Sequence, residues 1–171
     1  DADVDVLIAA ASLQWVPDHP TVLARWTRAL APAGQLLVQV PANAHAPTHT
    51  VAAAVAEREP FRSAFGPAGP PPDPVAAHVL SPDTYARILF DLGFEHQQVF
   101  LRVYPHLLPS TDDAVEWVKG TTLTRFRRRL PVALYEEFLR TYRDELLAAL
   151  GDRRPLFFPF SRILFWAQRS G

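Results

Sequence analysis

Two apolar runs, separated by a helical pattern, occupy most of the first 40 residues. The run Val4–Ala9 is mainly apolar, which is typical of a parallel strand covered on both faces. Apolar side chains then recur at helical spacing over about residues 20–31, where Asp18 offers an N-cap and Pro20 a first-turn proline. The second run is Gln35–Val40. Strand, helix and strand in this order predict a right-handed βαβ unit with parallel strands.

The middle of the chain predicts two more helices and a third strand. A helix is expected over about residues 47–59, and another begins after Ser81 and ends at Gly93. Between them, Phe65–Pro74 contains too many prolines and glycines for a regular element. The third strand is predicted at Phe94–Tyr104, where β-branched and aromatic residues are frequent.

From Pro105 the pattern predicts helices until the last strand. Ser110 stands at the N-cap position of a helix that Gly120 ends. A long amphipathic helix is predicted at Pro131–Leu150, and a fourth strand at Ser161–Arg169. The chain is therefore assigned to the α/β class, with a helical insert of about 50 residues between the last two strands, longer than an ordinary connection.

Composition excludes several classes of protein. The 171 residues include no cysteine, so disulfides and thiolate metal sites are ruled out. The net charge of −1 gives no field that would attract nucleic acid or an anionic membrane, and the one basic run, Arg125–Leu130, is expected to be a solvated helix edge or a linker. His45 and His49 have a spacing seen in zinc sites, but no acidic residue is near them in sequence, so no metal is expected. We expect a soluble, cytoplasmic protein.

Four segments, in this order, carry a family resemblance. They are ASLQWVPDH at residues 11–19, VQVPANAHAPTH at 38–49, EWVKGTTL at 116–123 and FPFSRILFWAQR at 158–169. Together they resemble class I S-adenosylmethionine-dependent methyltransferases, and more narrowly the trans-aconitate methyltransferases. Two features depart from the family: Ala10 stands where an Asn is usual, and the chain contains no GxGxxG loop.

The resemblance implies the second half of a Rossmann-like methyltransferase sheet with four strands, the last two antiparallel, and a helical cap insert. Residues 1–104 would belong to the core, 105–157 to a substrate cap, and 158–171 to a final strand that returns to the core sheet. The Gly-rich cofactor loop and the acidic residue that holds the ribose would lie outside this chain. We therefore expect the chain taken alone to be inactive.

The same resemblance implies a cofactor and two sets of binding residues. The resemblance implies S-adenosylmethionine as the cofactor, and the ligand of such a sheet binds at the carboxyl ends of its parallel strands. Its expected binding residues are Ser12, Leu13, Gln14 and Trp15. Alternatively, Leu13 and Trp15 close the core beneath the following helix. A small polycarboxylate, trans-aconitate above all, would be held by Asn43, His49, Tyr104, His106, Trp117, Thr121 and Arg162. No catalytic base is expected, because a carboxylate is already ionised near neutral pH.

Two other interpretations remain open at this stage. The chain can be a non-catalytic half-domain that forms a homodimer through the exposed edge of Val4–Ala9, since an unpaired apolar edge tends to pair with another strand. It can also be a methyltransferase that acts on a different acid or on a protein, with the insert from Pro105 to Pro155 deciding the substrate. Neither a nucleic-acid partner nor a membrane is expected.

Overall fold

The computed structural model describes residues 3–171. In order, the elements are β1 (Val4–Ala10), a 3₁₀ turn (Leu13–Trp15), α1 (His19–Ala29), β2 (Leu30–Pro41), α2 (Pro47–Ala56), α3 (Phe61–Ala64), α4 (Pro74–His78), α5 (Pro82–Asp91), β3 (His96–Leu108), α6 (Thr111–Lys119), α7 (Thr124–Arg127), α8 (Val132–Leu150) and β4 (Leu156–Gln168).

A four-stranded sheet with the order β1-β2-β4-β3 organises these elements. Strand β1 is parallel to β2, with Leu7 opposite Leu36, and β4 is antiparallel to β2, with Trp166 opposite Leu37. The α/β class, the parallel βαβ unit and the antiparallel return of the last strand are confirmed.

The chain forms two compact units. The first contains residues 3–42, Pro74–Tyr104 and Phe160–Gly171, and the second contains Asn43–Asp73 and Pro105–Pro159. The predicted functional division at residues 104/105 and 157/158 stays a prediction. Residues 1 and 2, the first two of the predicted core, lie outside the described residues.

The core of the first unit lies on one face of the sheet. Leu23 of α1 and Leu89 of α5 pack there against inward-facing side chains such as Leu36 and Phe165. The expectation that the first strand is covered on both faces is wrong. Along β1 the side chains alternate, so Ala9 is buried while Ile8 is 69% exposed. The physical reason is that the core cluster covered by α1 and α5 contains side chains from the inward face of the sheet, such as Ala9. Ile8 is not part of that cluster.

Aromatic side chains on the helices build the core of the second unit. The ring of Phe138 on α8 meets Phe126 at a centroid distance of 4.8 Å and Phe61 at 5.4 Å. The predicted long helix is confirmed with a start at Val132. Ser110 is the N-cap of α6 and accepts a hydrogen bond from the amide of Asp113, as its position in the sequence predicts.

Two strands are longer than their sequence pattern indicates. Strand β3 continues through Pro105 to Leu108, where a helical region was expected. A proline removes one amide donor, which an edge strand tolerates, and β3 stands at the end of the sheet order. Strand β2 begins at Leu30, so the residues expected to end the preceding helix belong to the strand instead.

The helices of residues 3–171 include none that is both long enough and apolar enough to cross a membrane. A cytoplasmic location stays a prediction.

Candidate functional site

One end of the sheet gathers the segment after β1 and a cation on β4. The amide of Ala11 donates to the carbonyl of Gln39 at 2.9 Å, so the chain leaves β1 beside the end of β2. Pro41, the last residue of β2, lies opposite Arg162 of β4. The carboxyl ends of the two parallel strands and Arg162 therefore lie at the same end of this sheet, which is where ligands bind in open α/β folds.

The segment expected to form the cofactor wall is a tight 3₁₀ turn with mixed exposure. Ser12 is exposed and precedes the turn, and Trp15 is 61% exposed. Leu13 is 1% exposed and belongs to the core, which corresponds to the alternative interpretation of this residue. Two apolar residues, Leu13 and Trp15, are predicted to line the cofactor wall. Of these two, only Trp15 has a side chain that a ligand can reach.

Gln14 is the polar residue of this turn that faces inward. Its side chain is 5% exposed, and its Nε2 donates to the carbonyl of Ala11 at 2.8 Å. Its Oε1 is buried and accepts no hydrogen bond from residues 3–171. A buried acceptor without a donor is costly, and a ligand that brings an N–H or O–H group would relieve that cost.

Beneath the turn lies a histidine that the sequence analysis did not assign to the site. His19, the first residue of α1, is 1% exposed and lies with its Nε2 at 3.0 Å from the carbonyl of Leu13. Its Nδ1 lies 2.6 Å from the hydroxyl of Tyr85. Burial lowers the pKa of His19 and raises the pKa of Tyr85 to about 12, so both side chains are neutral near pH 7.

Arg162 and Tyr104, both expected to bind substrate, are neighbours. The guanidinium carbon of Arg162 lies 5.8 Å from the ring centroid of Tyr104 and 4.8 Å from that of Phe160. Within the described chain, Arg162 forms no ion pair with an Asp or Glu. Aromatic rings on its flanks fix the planar guanidinium while leaving its donors free of an internal carboxylate. Such a cation suits a carboxylate ligand.

In the second unit, Asn43 and His49 are joined in one buried network. Asn43 Nδ2 lies 3.1 Å from His49 Nε2, and His49 Nδ1 lies 2.6 Å from a carboxylate oxygen of Asp73. Because an amide nitrogen can only donate, Nε2 accepts and Nδ1 carries the proton that it donates to Asp73. The hydroxyl of Thr122 lies 3.3 Å from the same Nε2. Thr121, the residue predicted from the sequence, is exposed beside it.

Arg125 completes this network and corrects two sequence expectations. Its Nη1 lies 3.0 Å from Asp73 Oδ2, and its side chain is mostly buried, so burial lowers the pKa of Arg125 while Asp73 opposes that shift. The expectation that the basic run is wholly a solvated edge is therefore wrong for this residue. The statement that His49 has no acidic partner nearby holds in sequence but not in space, because Asp73 is brought to it by the proline-rich segment.

His106 and Trp117 also meet within the second unit. Their ring centroids are 5.0 Å apart, and the ring centroid of Trp117 lies 5.7 Å from that of Phe158. The indole of Trp117 keeps 40% of its surface exposed. No cluster of three or more metal-ligating side chains occurs between residues 3 and 171.

Sequence comparison relates the chain to named proteins. No family model matches it. It is 40% identical over 166 residues to the trans-aconitate 2-methyltransferase of Deinococcus radiodurans, a match that covers 96% of this chain and 63% of that protein. It is 34% identical over 175 residues to the trans-aconitate 2-methyltransferase of Mycobacterium tuberculosis, with 99% of this chain and 64% of that protein covered. The chain is a relative of the trans-aconitate 2-methyltransferases. It spans just under two thirds of the length of the two trans-aconitate 2-methyltransferases described here.

A solved structure shares the fold. The YcgJ protein of Bacillus subtilis superposes with a TM-score of 0.51 at 12% identity, and the match covers 100% of this chain and 66% of that one. The similarity to the trans-aconitate 2-methyltransferases in sequence and to YcgJ in structure extends in each case over nearly the whole of this chain.

Proposed function

We propose that this chain provides part of a methyltransferase that esterifies one carboxylate of a small polycarboxylic acid, most specifically trans-aconitate. The observation that carries the proposal is the identity of 34–40% to proteins of that name over 96–99% of the chain. Arg162 lies beside the carboxyl ends of β1 and β2 and forms no ion pair with an Asp or Glu of residues 3–171, which supports a carboxylate as the substrate group.

The chemistry of this reaction asks little of protein acids or bases. A carboxylic acid titrates near pH ~4, so the nucleophilic oxygen is already charged near neutrality. S-adenosylmethionine, when bound, supplies a methyl group on a sulfonium, which makes the transfer an in-line displacement. The protein then contributes position and partial removal of water from the carboxylate. A bidentate Arg162 would orient one carboxylate of the substrate, with the Tyr104 ring holding the guanidinium plane.

The 3₁₀ turn fits one wall of a cofactor site. An exposed indole at Trp15 offers a surface for a flat or apolar part of the cofactor, and the unpaired Oε1 of Gln14 offers an acceptor. Ser12 adds an exposed hydroxyl at the start of the turn. The remaining substrate residues stay predictions: Asn43, His49, His106, Trp117 and Thr121.

A chimera tests the proposal and its substrate residue. This chain replaces the matched segment of the Deinococcus relative, and transfer of labelled methyl from S-adenosylmethionine to trans-aconitate is measured. We expect Arg162→Gln to raise KM for trans-aconitate at least about tenfold, since loss of a charged hydrogen-bond partner costs about 1.5 kcal/mol or more. Arg162→Lys keeps the positive charge but not the planar guanidinium. Its KM for trans-aconitate should lie between that of the parent and that of Arg162→Gln.

The matched control is Arg87→Gln on α5. It makes the same change of charge in the same unit at an exposed position, and it should leave KM unchanged. An equal effect of the two Gln variants would contradict a specific role for Arg162. An unchanged KM in Arg162→Gln would remove it from the substrate site.

We infer a second candidate function, self-association into a homodimer through β1. Strand β1 stands at one end of the sheet order, so within residues 3–171 it has a strand neighbour on one side only. Val6 and Ile8 on it are exposed apolar residues. An exposed strand of this kind is a template for a second copy of the chain.

A further inference from the structure

A directed row of hydrogen bonds runs from α5 to the 3₁₀ turn in the first unit. The amide of Leu80 donates to the hydroxyl of Tyr85 at 3.3 Å, and that hydroxyl lies 2.6 Å from Nδ1 of His19. On the far side of the imidazole, Nε2 lies 3.0 Å from the carbonyl of Leu13. His19 and Tyr85 are both almost fully buried.

When the imidazole is neutral, the backbone groups at the two ends fix the protons in this row. The Leu13 carbonyl can only accept, so Nε2 of His19 must carry a hydrogen. The Leu80 amide can only donate, so the Tyr85 oxygen accepts there and its own hydrogen points to Nδ1. A neutral imidazole with a bare Nδ1 satisfies both conditions, and its stacking on Tyr85 at a centroid distance of 5.8 Å holds the ring plane.

We propose that His19 is a positioning residue for the turn Leu13–Trp15: its Nε2–H, oriented by Tyr85, fixes the Leu13 carbonyl and thereby presents Gln14 and Trp15 to the cofactor. The statement that the turn meets the cofactor rests on the proposed function, whereas the statement that His19 fixes the turn does not. Within the turn, the amides of Trp15 and Val16 donate to the carbonyls of Ser12 and Leu13, so the Leu13 carbonyl accepts one hydrogen bond from Val16 inside the turn and one from His19 outside it. The Leu13 carbonyl thus holds the turn from within and is held by His19 from below.

Hydrogen exchange on the 171-residue chain tests the positioning directly. His19→Phe keeps an aromatic ring against Tyr85 and removes both nitrogens, which leaves the Tyr85 hydroxyl without its acceptor. We expect the amides of Trp15 and Val16 to exchange at least about tenfold faster, as expected for a lost buried hydrogen bond. His19→Gln restores a donor near the Nε2 position and should return exchange to within about threefold of the parent.

Two comparisons separate positioning from a general loss of stability. His96→Phe makes the same change at an exposed histidine of the same unit and should leave the turn amides as protected as in the parent. A merely structural role for His19 would speed exchange equally in β2 and in the turn. Faster exchange confined to the turn supports the proposal, whereas unchanged or evenly distributed exchange overturns it.

The chimera described above tests the link to the cofactor. With His19→Phe, KM for S-adenosylmethionine should rise at least about fivefold while kcat and KM for trans-aconitate stay close to the parent values, because one wall of the cofactor site is loosened. A fall in kcat alone would contradict the positioning role. If the parent chimera transfers no methyl group, the proposed function fails, and the exchange data still decide whether His19 holds the turn.

Discussion

Asp73 is mostly buried, accepts a hydrogen bond from His49 and forms an ion pair with Arg125. One of its oxygens lies 2.6 Å from Nδ1 of His49 and 3.0 Å from Nη1 of Arg125. The carboxylate therefore balances the positive charge of Arg125 and also selects the proton position on His49. A single side chain thus links the proline-rich segment to α2 and α7.

We predict that Asp73→Asn destabilises the chain by about 3 kcal/mol, because it leaves a buried guanidinium without its counter-charge. The measurement is the free energy of unfolding from urea denaturation. Asp112→Asn is the matched control, since Asp112 pairs with Arg143 at 2.7 Å on an exposed surface. Exposed ion pairs contribute little, so the control should change stability far less. Equal losses in the two variants would show that burial of the Asp73 pair has no special weight.

Sequence reasoning at the residue scale finds side chains next to a motif and misses those that arrive from elsewhere. Ser12, Gln14, Trp15 and Arg162 stand in segments that resemble a family, and the structure places them at one end of the sheet. Asp73 and Arg125 stand in a proline-rich stretch and a basic run, both ordinary surface patterns. Their partner His49 is 24 residues from Asp73, and no local spacing reports a contact of that range.

At the scale of elements, hydrophobic periodicity predicts what a segment is better than what covers it. The helix α8 and the strands of the βαβ unit follow from spacing and length. The exposure of β1 does not, because a short apolar run has the same composition whether one or both of its faces are covered. The end of β3 likewise depends on its edge position, which makes Pro105 acceptable within a strand.

The edge strand supplies the prediction at this scale. Ile8→Lys on β1 should shift the chain from dimer toward monomer in sedimentation equilibrium, because a lysine on an exposed edge strand opposes pairing with another copy. Phe90→Lys on α5 is the control, as Phe90 is 68% exposed and Ile8 69%. It should leave the association constant unchanged. A parent chain that stays monomeric at high concentration would exclude self-association through β1.

At the scale of the whole molecule, four separated segments carry the family resemblance. The candidate site lies where the strand ends meet at one end of the sheet. The chain matches 63% of its Deinococcus relative, so that protein includes a portion with no counterpart among these 171 residues. The resemblance predicts S-adenosylmethionine as the cofactor, and no GxGxxG loop occurs among these 171 residues. In the proposed function, the turn and Arg162 are the parts that this chain itself contributes to the reaction.

The most direct test of this account is methyl transfer by the chimera that carries this chain in place of the matched Deinococcus segment. Labelled S-adenosylmethionine is supplied with trans-aconitate or with its trimethyl ester, and the methylated product is identified by mass spectrometry. We expect one methyl ester on trans-aconitate and no transfer to the trimethyl ester, which has no free carboxylate to act as nucleophile or to bind Arg162. Transfer to both compounds, or transfer to neither in a folded chimera, would contradict the proposal that this chain serves a carboxyl methyltransferase.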